Sequence, residues 1–247
     1  ELPGRLALDP SQRAARMLDD GVAYLYPGAF YNVDGGDNPW DADVFLAFLD
    51  QAFDGFLDAD ATTLVIDLRD NPGGSGAMAG GLSGFLVGER GQKLGTIVFR
   101  DTPMQLIVAP RATIYRGPVA VLVNGSSMST SEIMAGGLQD LGRARIFGTP
   151  TPGAALPSYV SLLPNGDRFQ YAVADYISTS GARLEGAGVR PDDVVPLDRQ
   201  SLLAGVDPQL QAAVNWLLSE SAGTSAEAPA EAEADADAAR PTTNPAD

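Results

Sequence analysis

TLVIDLRDNPGGSG, residues 63–76, opens as a nearly unbroken apolar run and closes on a proline followed by glycines. A strand without polar alternation is buried on both faces, and a sheet buried on both faces is one covered by helices. The fold class that follows is α/β. PVAVLVN, residues 118–124, repeats the pattern and runs into a serine-rich turn. Between these two and around them the spacing of apolar residues changes period. From Trp40 to about Leu57, Val44, Phe45, Phe48, Leu49, Ala52, Phe53 and Phe56 recur at three and four, which predicts an amphipathic helix.

Working outward, residues 9–20 suit a short helix and VAYLY (22–26) a strand stopped by Pro27-Gly28. A weak helix is expected from the glycine turn to about Val87, with strands near 95–100 and 104–109. A helix over 130–141 and a strand near 145–148 follow. YVSLL (159–163) and RFQYAVADY (168–176) read as a hairpin joined by Pro164-Asn165-Gly166-Asp167. The last helix is predicted over 207–220, with Asp207 as N-cap and Pro208 at its first position. Residues 221–247, rich in Ala, Glu, Asp and Pro, hold too little apolar area to offset their ordering entropy and are expected to be a disordered acidic tail. The expected organisation is one folded domain over 1–220 and that tail.

The 247 residues carry 32 acids against 16 bases. A field of that sign repels phosphate backbones, and the bases are scattered singly, so nucleic acid and anionic membrane surfaces are not expected partners. No apolar run approaches the roughly 18 residues of a membrane span. The chain has no cysteine and no histidine, which removes thiol chemistry, the commonest general base and the commonest metal ligand together. Its start, ELPGRLALDP, does not read as a signal peptide, so the expectation is a mature product or a fragment.

Two features fall at the ends of the buried strands, where ligands gather in open α/β sheets. Asn71-Pro72-Gly73-Gly74 can turn sharply and expose backbone amides to a developing oxyanion, or be an ordinary tight turn. Ser126, Ser127, Ser129 and Ser131 stand where the second strand meets a helix start, so a hydroxyl there can attack a carbonyl. Ser129 with Glu132 three residues on also reads as a capping box. Asp34, Asp37 and Asn38 have some of the oxygen ligands of a calcium loop but the wrong spacing and no closing glutamate, so no metal or other cofactor is expected.

LVIDLRDNPGG, PVAVLVNGSSMSTSEIMAGGLQD and, later, LEGAGVRPD (184–192) occur in the order of the core motifs of the C-terminal-processing, or tail-specific, serine peptidases and their tricorn-like relatives. The resemblance spans roughly residues 20–198. It implies the ClpP/crotonase-like spiral of ββα units, Ser129 as nucleophile, and an oxyanion hole from the amide of Thr130 with one from Gly73 or Gly74. Where the Ser-Lys members carry lysine, this chain has Ala154, and its single lysine is Lys93. The tricorn-like Ser-His-Glu pattern puts the glutamate on Glu185. The histidine of that pattern would then lie outside this chain, in an N-terminal region in cis or on a second chain. The resemblance further implies a peptide or protein substrate and, since such enzymes are often exported, a periplasmic or secreted location. Retinoid-binding modules resemble the same fold, so a catalytically inactive member that binds lipophilic ligands or acts as a scaffold is the alternative.

Overall fold

The computed structural model describes residues 9–32 and 38–226. Asp34 and Asp37 of the calcium-loop reading, and the tail from residue 227 onward, lie outside the described residues. The main sheet is built from β1 (Ala14–Met17), β2 (Val22–Tyr26), β3 (Thr63–Asp67), β6 (Val119–Val123), β7 (Arg145–Gly148) and β11 (Asp193–Val194), in the spatial order β1-β2-β3-β6-β7-β11. All its neighbours are parallel except β1, which runs antiparallel to β2 at the edge. Parallel neighbours need crossovers, and α1 (Asp43–Asp58) and α3 (Thr130–Asp140) provide two of them.

The continuous apolar runs are explained by what lies on each face. Leu64 and Ile66 of β3, with Val119, Val121 and Val123 of β6, join one buried cluster with Phe45, Leu49 and Phe53 of α1, Met78 and Leu82 of α2 (Gly76–Ser83), and Met134 and Leu138 of α3. Val65, Ala120 and Leu122 point the other way. They form a second cluster with Tyr24, Phe147, and Leu210, Ala213 and Leu217 of the C-terminal helix. Each face has its own cover, so neither can be polar.

Beside the first cluster lies a smaller antiparallel sheet, β10-β4-β5, made of β4 (Lys93–Phe99), β5 (Pro103–Ile107) and β10 (Ala174–Ser178). β8 (Ser158–Leu162) and β9 (Arg168–Ala172) form a separate hairpin. The predicted strand 168–176 therefore breaks at Val173, because its two halves pair with different partners: β9 with β8, and β10 with β4. The predicted helix over 9–20 is overturned. Residues 14–17 pair with β2 as an edge strand, and a turn through Asp20 and Gly21, both at positive φ, closes the connection. The free edge of β2 offered Ala14–Met17 a ladder of backbone partners, and that tertiary pairing overrode the local helix preference of residues 9–20.

The C-terminal helices are α4 (Arg199–Leu203) and α5 (Pro208–Ala226), the latter running on past the predicted end at 220. Asp207 Oδ1 accepts the amides of Gln209 and Leu210 at 3.1 and 3.0 Å and so caps α5 as expected. The same carboxylate binds Arg69, which follows β3. Arg69 lies between Asp67 and Asp207, 2.7 Å from each, and also donates to Gln209 at 3.1 Å. Tyr24 donates to Asp67 at 2.8 Å. Burial works against the guanidinium charge, yet the two carboxylates outweigh it and hold Arg69 above its ordinary pKa. Among the described residues no helix is long and apolar enough to cross a membrane.

Candidate active site

The turns after β3 and β6 sit side by side because their strands are neighbours, and both lie at carboxyl ends of the parallel sheet. Side chains stitch them together. Ser127 Oγ donates to the Leu68 carbonyl at 2.7 Å and Ser131 Oγ to the Asn71 carbonyl at 3.1 Å. The Met128 amide also donates to the Asn71 carbonyl, at 3.0 Å. Asn124 and Asp70 exchange two bonds, at 3.0 and 3.1 Å.

These bonds separate the four serines. Ser127 and Ser131 are buried fasteners, and Ser126 is an exposed turn residue. Ser129 alone of the four lines a cleft of about 680 Å³. Its backbone stands at φ 54° and ψ −119°, outside the basins open to L-residues, and α3 begins at the next residue. Such a conformation costs about 1–3 kcal/mol and persists only where the surroundings fix it. The Ser129 amide donates to Glu132 Oε2 at 3.0 Å, so the glutamate also returns the bond of a capping box.

Gly73 explains the glycine pair. At φ 90°, a Cβ built on it would lie 2.7 Å from the Met128 carbonyl, 2.8 Å from Ser129 Cβ and 2.9 Å from the Thr130 nitrogen. Only a residue without a side chain lets the first turn come against the second there. The Gly73 amide is already engaged, donating to Asn71 Oδ1 at 2.8 Å. Asn71 in turn donates to the Gly28 carbonyl at 2.6 Å, which fixes the loop from its other side. Gly74 carries φ 135°, and its carbonyl accepts Thr130 Oγ1 at 2.7 Å. Among the described residues the Gly74 and Thr130 amides make no hydrogen bond, and both residues line the cleft with Ser129.

The structure thus brings Ser129, Thr130, Gly73 and Gly74 together. Glu185 does not line the cleft; it is exposed and accepts the Ala155 amide at 2.9 Å. Ala154, next along, donates its amide to Glu132 at 2.9 Å. Lys93 opens β4 and does not line the cleft. Leu94, Ile97, Leu106, Ile133 and residues 157–160 also line the cleft, and none of its described lining residues is charged. Among the described residues no group of three or more acids, histidines or cysteines could hold a metal ion. The sequence reading gave Glu132 only a capping role, although it also meets residues 151–154 in space; S-x-x-E was its one local signal.

The model of Peptidase family S41 matches residues 45–195. The chain is 32% identical over 165 residues to a carboxyl-terminal-processing protease of Picosynechococcus, an alignment covering 66% of this chain and 39% of that one. It is 34% identical over 154 residues to a carboxy-terminal-processing protease of Bartonella bacilliformis, covering 59% and 34%. The chain therefore spans well under half the length of these relatives. Among solved structures, a photosystem II D1 C-terminal processing protease superposes with a TM-score of 0.60 at 24% identity, over 81% of this chain and 52% of that one. The tricorn protease superposes at 0.58 and 19%, over 82% and 18%. At those identities the likeness is one of fold.

Proposed function

The chain belongs to peptidase family S41, and on that premise we propose that it is the catalytic core of a serine peptidase that hydrolyses peptide bonds through an acyl-enzyme on Ser129. The observation that carries the proposal is the strained Ser129 backbone at the start of α3, packed against Gly73 and beside two unpartnered amides. The strain turns one serine out of four into the cleft, and the amides wait where negative charge would develop.

In the proposed reaction Ser129 Oγ attacks the peptide carbonyl carbon and loses its proton to a base. The carbonyl oxygen, now anionic, accepts from the Thr130 and Gly74 amides. Gly74 suits that task better than Gly73, whose hydrogen is committed to Asn71. Collapse of the tetrahedral species expels the amine, which takes the proton from the base, and water releases the acyl group by the same steps. The base is the part this chain does not supply. We assign it to a histidine outside the sequence, in a preceding region or on a second chain, with Glu185 behind it in the tricorn-like manner.

The same reading takes the main sheet and its helices as a ClpP/crotonase-like spiral of ββα units. It takes residues 1–220 as the core and the rest as an acidic tail. Its substrate is a protein or peptide in an exported compartment.

A fluorophosphonate added to the protein together with its base should label Ser129, and Ser129→Ala should remove both label and peptide cleavage. The chain alone should label slower by orders of magnitude, because loss of one triad member leaves only residual catalysis. No label and no cleavage in the complete protein would sink the peptidase reading. A second reading rests on the uncharged apolar cleft. A relative without catalysis would hold a lipophilic ligand there, and one bound apolar molecule per chain without labelling is the result that favours it.

A further inference from the structure

Glu132 is fully buried, and none of the ion pairs among the described residues includes it. A carboxylate taken out of water without a cation is strongly disfavoured unless its oxygens are otherwise satisfied. Four donors meet it. Oε2 accepts the amides of Ser129 and Ala154 at 3.0 and 2.9 Å, and Oε1 accepts the Gly153 amide and the Thr151 hydroxyl at 2.7 and 2.6 Å. The Thr151 hydroxyl itself accepts from the Val189 amide at 2.7 Å, so its own hydrogen is directed to Glu132. Backbone amides can only donate. Four donors and no acceptor are the partners of a carboxylate rather than of a carboxylic acid, and the first turn of α3 favours the same charge.

A capping glutamate needs only the bond to the N-cap amide. The other three bonds go to residues 151–154, which no helix cap involves. That segment continues into residues 157–160, which line the same cleft as Ser129. One carboxylate thereby joins the Ser129 backbone to the root of a second segment that lines the cleft.

We propose that Glu132 is a positioning residue of the reaction centre: it holds Ser129 in its positive-φ conformation and, through residues 151–154, sets the distance between that serine and the cleft-lining residues 157–160. The inference rests on the peptidase reading of Ser129. The test is Glu132→Gln in the complete protein. Glutamine keeps the shape but turns an NH2 toward one pair of donors, which breaks that side of the bridge while leaving the fold intact. Turnover and the rate of fluorophosphonate labelling should fall about 100-fold, the scale of a displacement near 1 Å, with KM close to unchanged. A merely structural glutamate would lower the melting temperature and leave kcat per folded molecule alone, and that result overturns the proposal.

The crystal structure of the same variant carries the question without turnover. Ser129 leaving its positive-φ conformation, or residues 151–155 moving away from it, supports the proposal. Both unmoved overturns it, even if labelling has slowed, since charge rather than position would then be responsible. If wild type is neither labelled nor active, the peptidase reading fails by itself and the crystal structure still decides whether Glu132 positions the serine.

Discussion

The cleft has two walls in opposite physical states. Apart from the exposed Gly125 and Ser126, the turns after β3 and β6 are buried or half-buried, and they are bonded to each other through Asn71, Ser127, Ser131 and Thr130. The hairpin β8–β9 has every strand residue exposed, including Tyr159, Val160, Leu162, Phe169 and Tyr171. An isolated two-stranded hairpin is marginal in water, whereas a turn pair with its polar groups satisfied resists local opening. A hydrolase needs its nucleophile and amides fixed before substrate arrives, but the surface that receives a variable chain gains from yielding.

Gly73→Ala should break this contrast most severely. The added methyl meets backbone at 2.7 Å and sits at φ 90°, so strain and overpacking together should cost about 3 kcal/mol, and labelling of Ser129 should drop by about 100-fold or more. Calorimetry and labelling kinetics check the two halves; a wild-type rate in this variant would mean the turns are not held together as described.

Asn71→Ala comes next. It leaves the Gly73 amide and the Gly28 carbonyl without their partner, and a loss of about 2 kcal/mol in chemical denaturation is expected. It should also slow labelling by freeing the loop.

Leu162→Ser is the smallest perturbation. At 73% exposure the side chain has little burial to lose, and the stability change should stay within about 0.5 kcal/mol. Hydrogen exchange sharpens the comparison directly: the Met128 and Ser131 amides should exchange only with global opening, and the hairpin amides orders of magnitude sooner. Equal protection of both walls would dissolve the distinction.

The sequence made the centre of the fold plain and its margins obscure, for a physical reason. β3 and β6 are covered on both faces, so burial alone writes their unbroken apolar runs, and the amphipathic spacing of α1 announces its single buried face. β1 defied its propensity because an edge strand is decided by its neighbour: Ala, Arg and Met are all good helix formers, yet β2 presents a free ladder. The break at Val173 has the same origin, since strand partners are chosen in space. In the candidate site, the approach of Ser129 to the glycine pair could be anticipated from the order of the motifs. That the Gly73 amide is spent on Asn71, and that Glu132 gathers donors from residues 151–154, depends on contacts between segments far apart in the chain.

The grip of Arg69 on Asp207 places the cap of the last helix two residues' reach from the loop that carries Asn71 and the glycine pair. A truncation ending before Asp207 would take away one of the two counter-charges and bare Val65, Ala120, Leu122 and Phe147 to water at a stroke. Engineers trimming this protein to a minimal scaffold should therefore find that the C-terminal helix is indispensable to the solubility of the fragment, although it never approaches the cleft.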